Sequence, residues 1–182
     1  MGRSNVGKSS LINSLVRQPV ARTSSTPGKT RLANVYRVAR GAGTPFYLVD
    51  LPGYGFARGG SDDFQAITRA FFGQDRLDLA AILIVDSRHP GLRSDSAAWQ
   101  WLHSTVDQSA VVATKIDKLA RGQRIRALRE LESVFDAPVA PVSAVTGEGL
   151  DELWKLMDRL ANNRSPRSSS PRRATGPRHQ KK

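Results

Sequence analysis

The sequence has no cysteine. Disulfide staples and thiolate metal sites are therefore excluded, and a reducing compartment is compatible with the composition. No apolar run is long enough to form a transmembrane helix. The amino end lacks a charged segment followed by an apolar stretch, so no secretory signal is visible. Aromatic residues make up only 7% of the chain, and none lies in residues 162–182. That last stretch also lacks acids and large apolar side chains. It holds Arg164, Arg167, Arg172, Arg173, Arg178, Lys181 and Lys182, which is more than half of the net charge of +12. Such a segment cannot bury enough surface to offset its ordering entropy, so a disordered basic tail is expected over 162–182. Two readings of the tail stand side by side: an arm that binds polyphosphate backbones by counterion release, or a solvated extension. With no aromatic to stack on bases, nucleic-acid binding by it would be electrostatic and salt-sensitive.

What is present is an alternation of apolar runs and helical stripes over the first 161 residues. Ser9 to Val16 reads as a helix with Leu11, Ile12, Leu15 and Val16 inward. Residues 18–31 read as a polar loop around Pro27-Gly28. Leu32 to Val38 and Phe46 to Val49 read as strands joined at Gly41-Ala42-Gly43. A helix is predicted over 62–72. Ala80 to Val85 and Ala110 to Ala113 are nearly continuous apolar strands, as buried parallel strands are. Helices are predicted over 94–104 and 121–134, a strand over Val139 to Val142, and a final helix lined by Leu150, Leu153, Trp154, Met157 and Leu160. The three Trp residues lie on these helices and read as packing. The pattern implies a layered α/β domain.

Gly2-Arg3-Ser4-Asn5-Val6-Gly7-Lys8-Ser9 is a complete G-x-x-x-x-G-K-[ST] phosphate loop. Its backbone N–H groups turn inward on phosphates, Lys8 meets the β/γ-phosphates and the Ser9 hydroxyl can ligate Mg²⁺. The helix behind it points its positive end at the same anion. Such a loop ordinarily joins a strand to a helix, and in a doubly wound sheet that strand is central. Only Met1 precedes Gly2. The expectation is a nucleotide-binding domain whose first strand is missing, through a misassigned start or a truncation.

Asp50-Leu51-Pro52-Gly53 follows a predicted strand. By itself D-x-P-G is a common turn. After a phosphate loop, Asp50 suits an outer-shell Mg²⁺ role and Gly53 can offer its N–H to a γ-phosphate. Thr114-Lys115-Ile116-Asp117 follows the strand ending at Ala113. A carboxylate there can accept from guanine N1–H and the 2-amino group, a donor pair that adenine lacks, while the Lys115 stem lies along the purine. Val142-Ser143-Ala144 ends the next strand, where a backbone N–H can meet guanine O6. Each tetrapeptide is weak alone. Their placement at the carboxyl ends of strands is where α/β sheets bind ligands.

Together these elements resemble the small Ras-like GTPases of the translation-factor class. The run Gly2 through Asn13, Ser25-Thr26-Pro27-Gly28-Lys29-Thr30, Asp50 through Gly55, and Asp86-Ser87-Arg88-His89-Pro90 are similar to the EngB (YihA) family of bacterial ribosome-biogenesis GTPases. The resemblance covers about residues 2–160; the tail lies outside it. It implies a Ras-like three-layer α/β sandwich with a GTP-binding domain over 1–161. It implies nucleotide contacts from Gly2, Arg3, Ser4, Asn5, Val6, Gly7, Lys8, Ser9 and Ser10, from Gly28, Lys29 and Thr30, from Asp50, Leu51, Pro52 and Gly53, and from Thr114, Lys115, Ile116, Asp117, Val142, Ser143 and Ala144. Lys8, Thr30 and Gly53 would serve hydrolysis, and Ser9, Thr30 and Asp50 would serve Mg²⁺. It further implies a cytoplasmic, monomeric GTP/GDP switch, with ribosomal RNA or a pre-50S particle as partner and a link to cell division and septation. Tyr54 stands where Ras-type enzymes place a water-orienting glutamine, so intrinsic hydrolysis should be slow. Asn5 matches the phosphate-loop asparagine of relatives that use K⁺; a loop residue with a capping role is the other reading. Arg88-His89 reads as a turn or packing element. The rival to a GTPase is a truncated, non-catalytic fragment that binds RNA through its tail.

Overall fold

The computed structural model describes residues 1–21, 33–38, 45–54 and 79–162. The expected helix over 62–72, the turn at 41–43, most of the loop over 18–31 and the tail lie outside the described residues. The elements are α1 (Lys8–Val16), β1 (Asn34–Val38), β2 (Phe46–Asp50), β3 (Ala80–Asp86), α2 (Arg93–Thr105), β4 (Gln108–Thr114), a 3₁₀ turn (Ile116–Lys118), α3 (Arg121–Phe135), β5 (Val139–Pro141) and α4 (Leu150–Asn162).

β3, β4 and β5 form a parallel sheet in that order, with Leu83 opposite Val111 and Val111 opposite Val139. Alternation along each strand sorts the side chains to two faces. Ala81, Leu83 and Val85 of β3, with Val111 and Ala113 of β4, meet Trp99 and Leu102 of α2 and Leu131 and Phe135 of α3. The intervening Ile82, Ile84 and Val112 meet Leu11 and Leu15 of α1 and Leu153, Trp154 and Met157 of α4. Helices thus cover both faces, which is why these strands read as unbroken apolar runs. Trp99 is buried with its indole N–H donating to the Phe135 carbonyl at 3.0 Å, so its polar edge is satisfied. Trp101, two positions on, is 36% exposed, so the packing expected of all three Trp residues is not uniform.

β1 and β2 form an antiparallel pair, Asn34 opposite Asp50. Tyr36, Val38, Phe46 and Leu48 turn toward the α1/α4 layer, where Phe46 meets Trp154 edge-on. The described strands therefore fall into a two-stranded and a three-stranded sheet. Residues 1–3 lie between them. Ile84 N–H donates to the Met1 carbonyl at 2.7 Å, Gly2 pairs with Ile84 and Arg3 pairs with Tyr54, both in parallel sense. The phosphate loop springs from this short central segment.

Candidate functional site

The sequence-predicted residues converge at the carboxyl edge of the strands. The helix α1 begins at Lys8, with Gly7 as its N-cap and no side-chain cap. Gly7 has φ +98°, a left-handed conformation that a side chain resists. Asn5 is also left-handed, at φ 63°, and it does not sit at the N-cap, so the capping reading of Asn5 is corrected. Lys8 folds back over the loop: its Nζ donates to Gly2 O at 3.0 Å and Arg3 O at 2.9 Å. Burial lowers the Lys8 pKa, and the nearby Asp50 charge opposes this. Asp50, buried at the end of β2, is raised by burial against the pull of Lys8 and the Met1 amine. Gly53 closes over the loop so tightly that a Cβ there would lie 2.8 Å from Ser4 N and 3.0 Å from Lys8 Nζ. Only glycine fits.

The end of β4 is tied to the same loop. Thr114 is buried; its one hydroxyl proton serves Val6 O at 2.5 Å, with Val85 O at 3.0 Å as the alternative acceptor. The expectation that Thr114 reads a base is thereby corrected, since its hydroxyl faces inward and joins β3, β4 and the loop. The Lys115 stem passes over Gly7, its Cε 3.8 Å from where a Cβ would be. Lys115 Nζ donates to Asn5 O at 2.5 Å and to Asp86 Oδ2 at 2.9 Å. Asp86 also takes a two-pronged pair from Arg88, Nε to Oδ1 at 2.9 Å and Nη2 to Oδ2 at 2.7 Å. Burial alone would raise the Asp86 carboxyl; the bonds from Arg88 and Lys115 overcome it and hold the group well below the usual carboxylate range. The 86–89 segment is a turn closed by His89 N–H on Asp86 O at 3.0 Å. Arg88 therefore has a charged partner in this turn, which the sequence reading left without assignment.

Asp117 stands in the 3₁₀ turn after β4. Ser143, fully buried after β5, donates its hydroxyl to Asp117 Oδ1 at 2.7 Å and accepts from Val145 and Thr146 N–H at 3.2 and 3.1 Å. The Ser143 bond is the leading cause of a lowered Asp117 pKa, so the carboxylate stays ionised. Ile116 and Val142 are buried beneath it. Ala144 O accepts from Ser14 Oγ of α1 at 2.7 Å, which fixes the 143–146 loop beside the helix of the phosphate loop. Gly28, Lys29 and Thr30 lie outside the described residues.

Among the described residues no three His, Cys, Asp or Glu side chains form a metal cluster. Magnesium at a nucleotide needs less from the protein: one or two hard oxygens, with phosphates and water supplying the rest. Ser9, at the start of α1, and the buried Asp50 carboxylate are oxygen donors of that kind and fit it. No helix among the described residues is long and apolar enough to cross a membrane.

This geometry can be set beside known proteins. A family model described as 50S ribosome-binding GTPase matches residues 1–115. The protein called probable GTP-binding protein EngB of Heliobacterium modesticaldum is 40% identical over 179 residues, covering 91% of this chain and 83% of its own length. Its counterpart in Chlorobaculum tepidum is 42% identical over 166 residues, covering 87% and 83%. The chain belongs to the EngB family of GTP-binding proteins. A solved structure of a probable GTP-binding protein engB matches with a TM-score of 0.65 at 24% identity, over 90% of this chain and 97% of that one. Era in complex with MgGDPNP and a 16S ribosomal RNA fragment matches with a TM-score of 0.73 at 22% identity, over 86% of this chain and 53% of that one. At these identities the two structures establish the α/β P-loop GTPase fold that the EngB relatives also imply.

Proposed function

We propose that this chain is a Mg²⁺-dependent GTP/GDP switch with slow intrinsic GTP hydrolysis, acting in assembly of the large ribosomal subunit and, through it, linked to cell division and septation. The observation that carries the reading is Asp117, an ionised carboxylate held in place by Ser143 at the strand edge that also carries the phosphate loop. The loop N–H groups from Gly2 to Ser10 hold the phosphates, and Lys8 leaves Gly2 O and Arg3 O to meet the β/γ oxygens. Asp117 accepts from guanine while the Lys115 stem, already lying over Gly7, supports the purine. Ser9 and Asp50 hold Mg²⁺, with Thr30 joining from the first switch. When bound, Mg²⁺ neutralises charge on the β- and γ-phosphate oxygens. Tyr54 offers no amide to orient water, so turnover depends on a partner or on K⁺ near Asn5. The reading places the protein in the cytoplasm as a monomer. Its partner is ribosomal RNA in a pre-50S particle, a partner class supported by the family description.

Base choice tests this. GDP should bind at least about a hundredfold more tightly than ADP, two charge-assisted hydrogen bonds at about 1.5 kcal/mol each. Asp117→Asn should reverse the preference toward xanthine nucleotides. Ser143 donates to Oδ1, so the introduced amide keeps its oxygen there and turns its NH₂ outward, against guanine's donors but toward xanthine's C2 carbonyl. Equal ADP and GDP affinity in a titration overturns the guanine assignment. Deleting residues 163–182 should leave GDP affinity unchanged and weaken ribosomal-particle binding most at low salt.

A further inference from the structure

Three residues distant in sequence meet on one oxygen beside the phosphate loop. Asp95 lies in the first turn of α2 and is 2% exposed. Its Oδ1 accepts from Arg3 Nε at 2.9 Å and from the Tyr54 hydroxyl at 2.9 Å. Arg3 belongs to the phosphate loop, and Tyr54 follows Gly53. The backbones of these two residues also pair with each other. Tyr54 is buried, and burial together with the Asp95 charge raises its hydroxyl well above the ordinary 10.0, so it remains a donor.

This cluster fixes where Gly53 sits. Gly53 presses on the loop with no room for a methyl carbon against Ser4 N and Lys8 Nζ. Lys8 in turn is held by two carbonyls of its own loop. A lysine in this position serves the β/γ-phosphates. The terminal phosphate of a triphosphate must therefore enter between Lys8 and Gly53, where the ground is occupied. A diphosphate is shorter and asks less of Gly53. We propose that Arg3, Asp95 and Tyr54 form a latch that holds Gly53 against the phosphate loop and so favours the nucleoside diphosphate over the triphosphate. A ligand shifts such an equilibrium only by its differential affinity for the two positions. The triphosphate has to work against the latch, and the diphosphate does not. Asp95 and Tyr54 are then specificity-determining residues that need not touch the nucleotide. The inference rests on the guanine-nucleotide reading above.

Titration calorimetry of the full chain with GDP and with the non-hydrolysable analogue GMPPNP tests it. Tyr54→Phe removes the hydroxyl and keeps the ring in the core. Its GMPPNP affinity is expected to rise about tenfold relative to GDP, the effect of losing one hydrogen bond to a charged acceptor. GDP affinity itself should stay within about twofold. Asp95→Asn keeps shape and weakens both bonds, and it should shift the ratio the same way. An unchanged ratio, or an equal loss of both nucleotides, would mean the three side chains only hold the fold, and the latch is refuted. A fall in relative GMPPNP affinity would mean the present Gly53 position receives the γ-phosphate, which also refutes it. Failure of the parent chain to bind GDP overturns the guanine reading, and the latch with it, before any variant is made.

Discussion

Acidification is expected to weaken this chain through its amino terminus. The Met1 nitrogen donates to Ile82 O at 2.6 Å, so the amine lies inside the sheet between Tyr54 and β3 rather than in water. Burial first, and the Lys8 charge second, lower its pKa from 8.0 to about 5, with Asp50 pulling the other way. Between those values the unfolded chain binds a proton that the folded chain does not. Stability therefore rises with pH across the window: the contribution is complete above pH 8 and is lost as the pH falls through 5. At 1.36 kcal/mol per pKa unit the loss is about 4 kcal/mol. That is a large share of the roughly 5–15 kcal/mol that holds a domain of this kind together.

The assay is denaturant unfolding at several pH values between about 5 and 8, at constant ionic strength. The comparison is a chain lengthened ahead of Met1 by a strand-forming segment of roughly six residues. There the amine becomes an amide, which does not titrate, and the added strand offers ladder partners to the chain on both sides of the divided sheet. Histidine titration is common to both chains and cancels. The lengthened chain should be more stable throughout, and the gap should widen by about 4 kcal/mol from pH 8 to pH 5. Parallel profiles would refute the assignment of a buried, neutral amine. Equal stability would refute the structural cost of the divided sheet.

Two further outcomes follow from the site. Arg88→Ala removes the two-pronged partner of Asp86, so Asp86 should protonate at a higher pH and release Lys115. The acid limb of GDP binding should then move upward in pH, and superimposable acid limbs would show that Arg88 does not matter here. If Asn5 helps hold K⁺, turnover should rise several-fold when Na⁺ is replaced by K⁺; Asn5→Gly should abolish the gain, glycine being chosen because it tolerates the positive φ of this position. A rate indifferent to K⁺ leaves the ribosome as activator.

The fold was legible where burial is periodic. Leu11 and Leu15, and Leu153, Trp154 and Met157, announce their helices by spacing, and both helices are present. Strand ends were less legible. β4 begins at Gln108, two residues before its apolar run, because the ladder with Ala80 and Ala81 continues past the point where side chains need to be apolar. Trp101 misled because a tryptophan on a helix suggests packing, yet the turn of the helix carries it away from the face that Trp99 buries. Asp117 and Ser143 were each visible as motif residues. Their hydrogen bond was not, since it joins positions 26 apart that only the pairing of β4 with β5 brings together.

The residues that sequence reasoning passed over share a physical cause. An acid in the first turn of a helix already has a sufficient reason to be there, the helix dipole, so Asp95 raised no question. Arg88 follows Asp86 by two residues, a local pairing that any turn can contain. Thr114 belongs to a motif, which hid the fact that its proton is committed to Val6 and Val85. In each case the polar group serves the scaffold, and the chemistry-bearing group is a neighbour. Thr114 and Lys115 bind the end of β4 to the backbone of Val6 and Asn5, so the Asp117 carboxylate and the phosphate loop are positioned by one strand end. Arg3 and Tyr54 do the same for Gly53 through Asp95. A perturbation of either tie should therefore alter phosphate binding without touching a phosphate. That separates positioning residues from contact residues: loss of a contact weakens every nucleotide that reaches it, whereas loss of a tie changes which nucleotide is preferred.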